Sequence, residues 1–188
     1  MFNGARYVIP TEVAGSVEDI ALWAYGVFVR GDVPEALGID PKSIKTTEQL
    51  VDFMKKAQEY GFKDINGNDC IVATTYHDGW SYDDYLQSYK QKKLTQYTTD
   101  ENGNVTLDKL TQNWIDQYMV IWELVHEGIL DKECFTTSDD MAKEKVGSGT
   151  ALFTCAQYGV TIDATKQSGL YDSNPEMRYT WVGPLDYQ

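Results

Sequence analysis

The chain has 188 residues and a formal net charge of -13, from 29 acidic and 16 basic side chains. It is long enough for one well-cored domain. Its field repels phosphate backbones and anionic lipid, which excludes nucleic-acid and membrane-surface binding as working expectations. The acids are scattered rather than blocked, so they read as a solubility feature. No basic, then apolar leader and no run of about 18 apolar residues is visible.

Residues 6–10, Arg-Tyr-Val-Ile-Pro, predict a short strand that Pro10 stops, and Tyr25 to Arg30 predicts a second. Asp32 to Lys45, broken by Pro34, Gly38 and Pro41, reads as a turn-rich connection. Thr46 and Gln49 fit a capping box, Leu50, Met54 and Ala57 form a stripe, and Gly61 supplies a stop, so a helix is expected between them. Asp64 to Asp69 is a turn, and Cys70 to Ala73 an apolar strand. A loop rich in aromatics follows, with a short helix reaching about Tyr89.

Residues 95–107 read as a hairpin around Asp-Glu-Asn-Gly-Asn. Trp114, Tyr118, Ile121, Trp122 and Val125 then recur at helical spacing, from a cap near Thr111 to a Schellman stop at Gly128 and Ile129. A smaller helix, from about Ser138 to Val146, leads through a glycine turn into the strand Ala151 to Cys155. That strand is expected to end in a loop carrying Gln157 and Tyr158, and the last strand is Arg178 to Gly183. Strands alternating with helices imply an α/β domain with a mixed or mainly parallel sheet flanked by helices.

Candidate chemistry is sparse. Cys70, Cys134 and Cys155 have neither CxxC spacing nor an even count, so neither a disulfide framework nor a zinc site is expected, and Cys70 and Cys155 read as small buried hydrophobes. Asp64, Asn66 and Asn68 mimic the start of a calcium loop, but the sixth position is Asp69 and the twelfth Thr75, so an Asx turn is the better reading. His126 suits the dipole at a helix end, and Asp83-Asp84 and Asp139-Asp140 suit helix first turns. His77 beside Asp78 could serve as a general base, yet no Ser or Cys stands in a nucleophile-elbow context. No catalytic residue, metal or cofactor is expected.

Tyr76, Trp80 and Tyr82 are interleaved with His77, Asp78, Gly79 and Ser81, a mixture suited to a groove. Sugar rings present apolar CH faces to flat aromatics and hydroxyls to paired donors and acceptors. The opposing reading is that these aromatics simply cover the end of the sheet.

The order of features adds to this. Arg-Tyr-Val-Ile-Pro (6–10), Phe-Val-Arg (28–30), Leu-Gly-Ile (37–39), Lys-Thr-Thr-Glu-Gln-Leu (45–50), Asp-Ile-Asn-Gly-Asn (64–68), Glu-Gly-Ile-Leu (127–130) and Gly-Ser-Gly-Thr-Ala-Leu-Phe (147–153) appear in sequence. The series resembles the extracellular solute-binding proteins of family 1, the sugar receptors of ABC importers, most of all their Gram-positive lipoprotein members. The resemblance implies residues 1–188 as a single α/β lobe of a type II periplasmic-binding-protein fold, mostly the second of two lobes, with crossover strands at 6–12 and 179–185. It implies a sugar ligand held by Tyr76, His77, Trp80, Gln157, Tyr158 and, more weakly, Glu12. Its partners would be the first lobe of the same polypeptide and the importer's membrane subunits. The full-length protein would be a monomeric, membrane-anchored extracellular lipoprotein, its signal and anchor outside this chain. A glycan-processing enzyme and a stand-alone carbohydrate-binding module are the rival expectations.

Overall fold

A computed structural model describes residues 25–76, 97–99, 102–107 and 110–183. Its centre is a four-stranded sheet of β1 (Tyr25–Arg30), β2 (Ile71–Thr75), β5 (Ala151–Gln157) and β6 (Tyr179–Trp181), in the order β2-β5-β1-β6. β2 and β5 are parallel, whereas β1 is antiparallel to both β5 and β6, so the sheet is mixed and not mainly parallel. A separate hairpin joins β3 (Tyr97–Thr99) to β4 (Val105–Leu107), as the Asn-Gly turn predicts.

The helices are α1 (Asp32–Leu37), α2 (Thr47–Tyr60), α3 (Gln112–His126), α4 (Asp139–Gly147), α5 (Tyr158–Ser168) and α6 (Leu170–Ser173). α2 starts on the expected capping box: Gln49 N donates to Thr46 Oγ1 at 3.3 Å, and Thr46 N donates to Gln49 Oε1 at 3.2 Å. α3 starts at the Thr111 cap and closes with Ile129 N to Leu124 O and Gly128 N to Val125 O. Asp139 and Asp140 occupy the first turn of α4, and His126 the last turn of α3.

The turn-rich connection needs correcting. Asp32 to Leu37 forms α1, with Pro34 tolerated because the first turn of a helix has no partner for that N–H, and Pro41–Ser43 forms a 3-10 turn. Strand limits also shift, from 70–73 to Ile71–Thr75 and from 178–183 to Tyr179–Trp181. The strand at 6–10, the crossover at 6–12, the segment beyond Gly183 and the helix reaching Tyr89 lie outside the described residues. No described helix is long and apolar enough to cross a membrane.

Two hydrophobic clusters fill the described part. The larger joins Val27, Val29, Leu50, Phe53, Met54, Leu124 and Phe153, with Phe53 and Phe153 in an edge-to-face contact at 5.1 Å. The smaller joins Phe28, Tyr76, Ala142, Val146, Ala156 and Tyr179. Gly147, read from sequence as part of a turn, is the last residue of α4. A Cβ there would stand 3.0 Å from the Ala164 carbonyl oxygen and 3.2 Å from Ser168 Cβ, so glycine permits the close packing of α4 on α5.

Candidate functional site

One edge of the sheet collects the ends of β2, β5 and β6 and the start of β1. β2 and β5 run parallel and end together, with Thr75 opposite Cys155. β1 runs the other way, so its first residue, Tyr25, pairs with Gln157 at the same edge. β6 ends there as well, and Val182 N donates to Val27 O at 2.9 Å. The chain therefore enters β1, leaves β2 and β6 and starts α5 on one side of the sheet. In open α/β sheets, ligands settle outside the carboxyl ends of the strands.

The structure places the expected site residues differently from one another. Gln157 closes β5 and is half-buried, and its backbone carbonyl accepts from Thr161 Oγ1 at 3.4 Å. It is the N-cap residue of α5 but makes no side-chain cap bond, which leaves the amide at the edge without a capping duty. Tyr158 is not in a loop: it is the first residue of α5, and nothing of its side chain is described. Glu12, His77 and Trp80 lie outside the described residues.

Tyr76 requires correction. It follows β2 directly, but its side chain is 2% exposed and packs in the smaller cluster under α4. Burial pushes its phenol well above the usual value, and the Asp139 carboxylate adds to that shift. In this arrangement Tyr76 braces the edge from inside instead of presenting a ring to solvent.

A residue that sequence reading left without a role stands at the same edge. Trp181, in β6 opposite Phe28, is half-buried and meets the Phe28 ring edge-on, with centroids 5.2 Å apart. The indole lies against β1 because position 26 is glycine, where a Cβ would come within 3.0 Å of Trp181 Cζ2. With Lys42, Lys45 and Gly183 it lines an open cleft of about 490 Å³. The alternation of Tyr179, Thr180 and Trp181 was the available signal, since it puts both aromatic rings on one face.

The opposite end of the sheet is tied down. Arg30, fully buried, donates from Nε and Nη2 to the two carboxylate oxygens of Asp32, both at 2.8 Å. It also donates to the carbonyls of Lys63 and Gly149 and to Cys70 Sγ. Burial lowers its affinity for the proton, but the Asp32 hydrogen bonds and charge outweigh this and leave the pKa raised. The Asp64 loop is the Asx turn expected: Oδ1 accepts from Asn66 N at 2.8 Å and Asn68 N at 2.9 Å. Among the described residues no group of three His, Cys, Asp or Glu side chains could hold a metal ion.

No protein-family model matches the chain, and no curated protein matches it by sequence. Solved structures do match by fold. The alginate-binding protein AlgQ2, solved without calcium ion, superposes with a TM-score of 0.65 at 20% identity, over 88% of this chain and 33% of its own. The sugar transporter BL01359 from Bacillus licheniformis, in complex with stachyose, gives a TM-score of 0.53 at 16% identity, over 88% and 41%. Maltose-bound MalE3 of T. maritima gives a TM-score of 0.53 at 16% identity, over 84% and 38%. The chain spans about a third to two-fifths of the length of these structures. It has a periplasmic-binding-protein-like α/β fold, and its extent is that of a part of such a protein.

Proposed function

We propose that the chain is the second lobe of a two-lobed receptor that binds a sugar or oligosaccharide and delivers it to an ABC importer, without chemical turnover. The observation that carries this is the match of nearly nine-tenths of the chain to a third to two-fifths of an alginate-binding protein and of a sugar transporter solved with stachyose. The sheet edge described above, with Gln157 and the start of α5, is the face this reading gives to the ligand. The rest of the cleft belongs to the first lobe, and closure of the two lobes on the sugar stabilises the closed state because the ligand touches both. Glu12, His77, Trp80 and Tyr158 remain proposed ligand contacts, with Tyr158 as the stacking ring. The full-length protein is then a monomeric extracellular lipoprotein whose partners are the importer's membrane subunits.

The test is titration of a panel of neutral and anionic oligosaccharides, followed by NMR, with product analysis on the same samples. The expected result is weak, saturable binding that shifts the Gln157 side-chain amide, with every sugar recovered intact. Cleaved or transferred sugar would overturn the reading in favour of a glycan-processing enzyme. So would the absence of binding by any sugar.

A further inference from the structure

The cleft at the end of β6 differs in character from the rest of this acidic chain. Its described lining is one indole, two ammonium-bearing side chains and a glycine: Trp181, Lys42, Lys45 and Gly183. We infer that this cleft is a subsite for an anionic sugar ring, a pyranose carrying a carboxylate or sulfate, which stacks on Trp181 and turns its charge toward Lys42 and Lys45. The inference rests on the sugar-binding reading and narrows its ligand class.

Three features support it. The indole is positioned in advance, wedged against the bare backbone of Gly26 and the edge of the Phe28 ring, so little side-chain freedom is lost on stacking. The backbone beneath both lysines is fixed. Asp40 Oδ1 accepts from Lys42 N at 2.9 Å, Gln49 Oε1 accepts from Lys45 N at 2.7 Å, and Gly183 N donates to Pro41 O at 3.1 Å. Finally, the cleft opens at the end of the sheet where the chain leaves β2 and β6 and starts α5, the side the sugar-binding reading gives to the ligand.

The net charge of -13 does not forbid an anion here. At physiological ionic strength the field of distant carboxylates is screened beyond about 8 Å, so the nearest charges dominate. The Asp40 carboxylate is engaged with its own turn, where it accepts from Lys42 N.

The experiment uses the 188-residue chain, with the indole N–H resonance of Trp181 assigned from a Trp181→Phe sample. Three trisaccharides of matched linkage are titrated: galacturonate, a sulfated galactose and neutral galactose. The expected result is that one or both anionic sugars shift the Trp181 resonance and bind about tenfold more tightly than the neutral one, the gain of a charge-assisted hydrogen bond. The double substitution Lys42→Gln, Lys45→Gln should remove that preference while leaving thermal unfolding unchanged. Preference for the carboxylate over the sulfate, or the reverse, identifies the source of the charge. Equal binding of neutral and anionic sugars, or a preference that survives the double substitution, overturns the inference while sparing the broader reading. Failure of all three sugars to bind overturns both.

Discussion

The guanidinium of Arg30 grips the carboxylate of Asp32 through two parallel hydrogen bonds of 2.8 Å, at the end of the sheet opposite the candidate site. The same side chain satisfies backbone carbonyls of Lys63 and Gly149, so one buried cation ties β1 to the turns before β2 and β5. Those two parallel strands carry the site edge at their far ends. Their alignment therefore depends on a contact remote from the candidate site.

Arg30→Met tests that dependence. It removes the charge and, with it, the hydrogen bonds to Asp32, Lys63 O and Gly149 O. Breaking a buried pair by removing one partner costs about 3–5 kcal/mol, and urea denaturation should show a loss of that order. Arg30→Lys should recover only part of it, since an ammonium cannot reproduce the fork. Loss of less than about 1 kcal/mol in the methionine variant would show that the pair is not a structural anchor.

Asp64 should give stability a specific acid dependence. The backbone N–H of Asn68 is the main cause that holds its carboxyl below the ordinary value, with the Asn68 side chain, Asn66 and Thr150 adding to it against the cost of burial. Because the folded-state pKa is the lower one, the contribution is complete above the unfolded value near 4 and is lost as pH falls through the folded value. Urea midpoints measured from pH 7 to pH 2 should drop in that acid window, and the drop should be smaller in Asp64→Asn. Identical profiles for the two proteins would contradict this role.

Cys134 should be inert in the native state. It is fully buried, and burial, with a smaller effect from Asp131, pushes its thiol up to about 11. At pH 8, alkylation of Cys134 should require unfolding, read by mass spectrometry of labelled peptides with and without urea. Rapid native-state labelling of Cys134 would show that this part of the chain opens more readily than its packing implies.

Much of the scaffold was legible because local signals and tertiary packing agreed. Thr46 with Gln49, the Schellman close at Gly128 and Ile129, and the Asn-Gly hairpin each specify a geometry through their own hydrogen bonds. α5 was not legible, because Tyr158-Gly-Val-Thr-Ile-Asp is built from weak helix formers with little amphipathic pattern. Packing makes it a helix: Ala164 is 6% exposed, and α4 sits against it through Gly147. The site suffered from the same limit. Gln157 follows directly from where β5 ends, whereas the burial of Tyr76 depends on α4 and α5 closing over it. Trp181 gained its place only through Gly26 on a strand far away in sequence.

The central claim, that this chain supplies one wall of a two-walled sugar cleft, is tested most directly by calorimetry on the 188-residue chain and on a protein in which it is joined to its complementary lobe. The account predicts sub-millimolar affinity at best for the chain alone, about -4 kcal/mol to modestly beyond, and an affinity at least tenfold tighter for the joined protein. Micromolar sugar binding by the chain alone, unchanged when the complementary lobe is added, would contradict it.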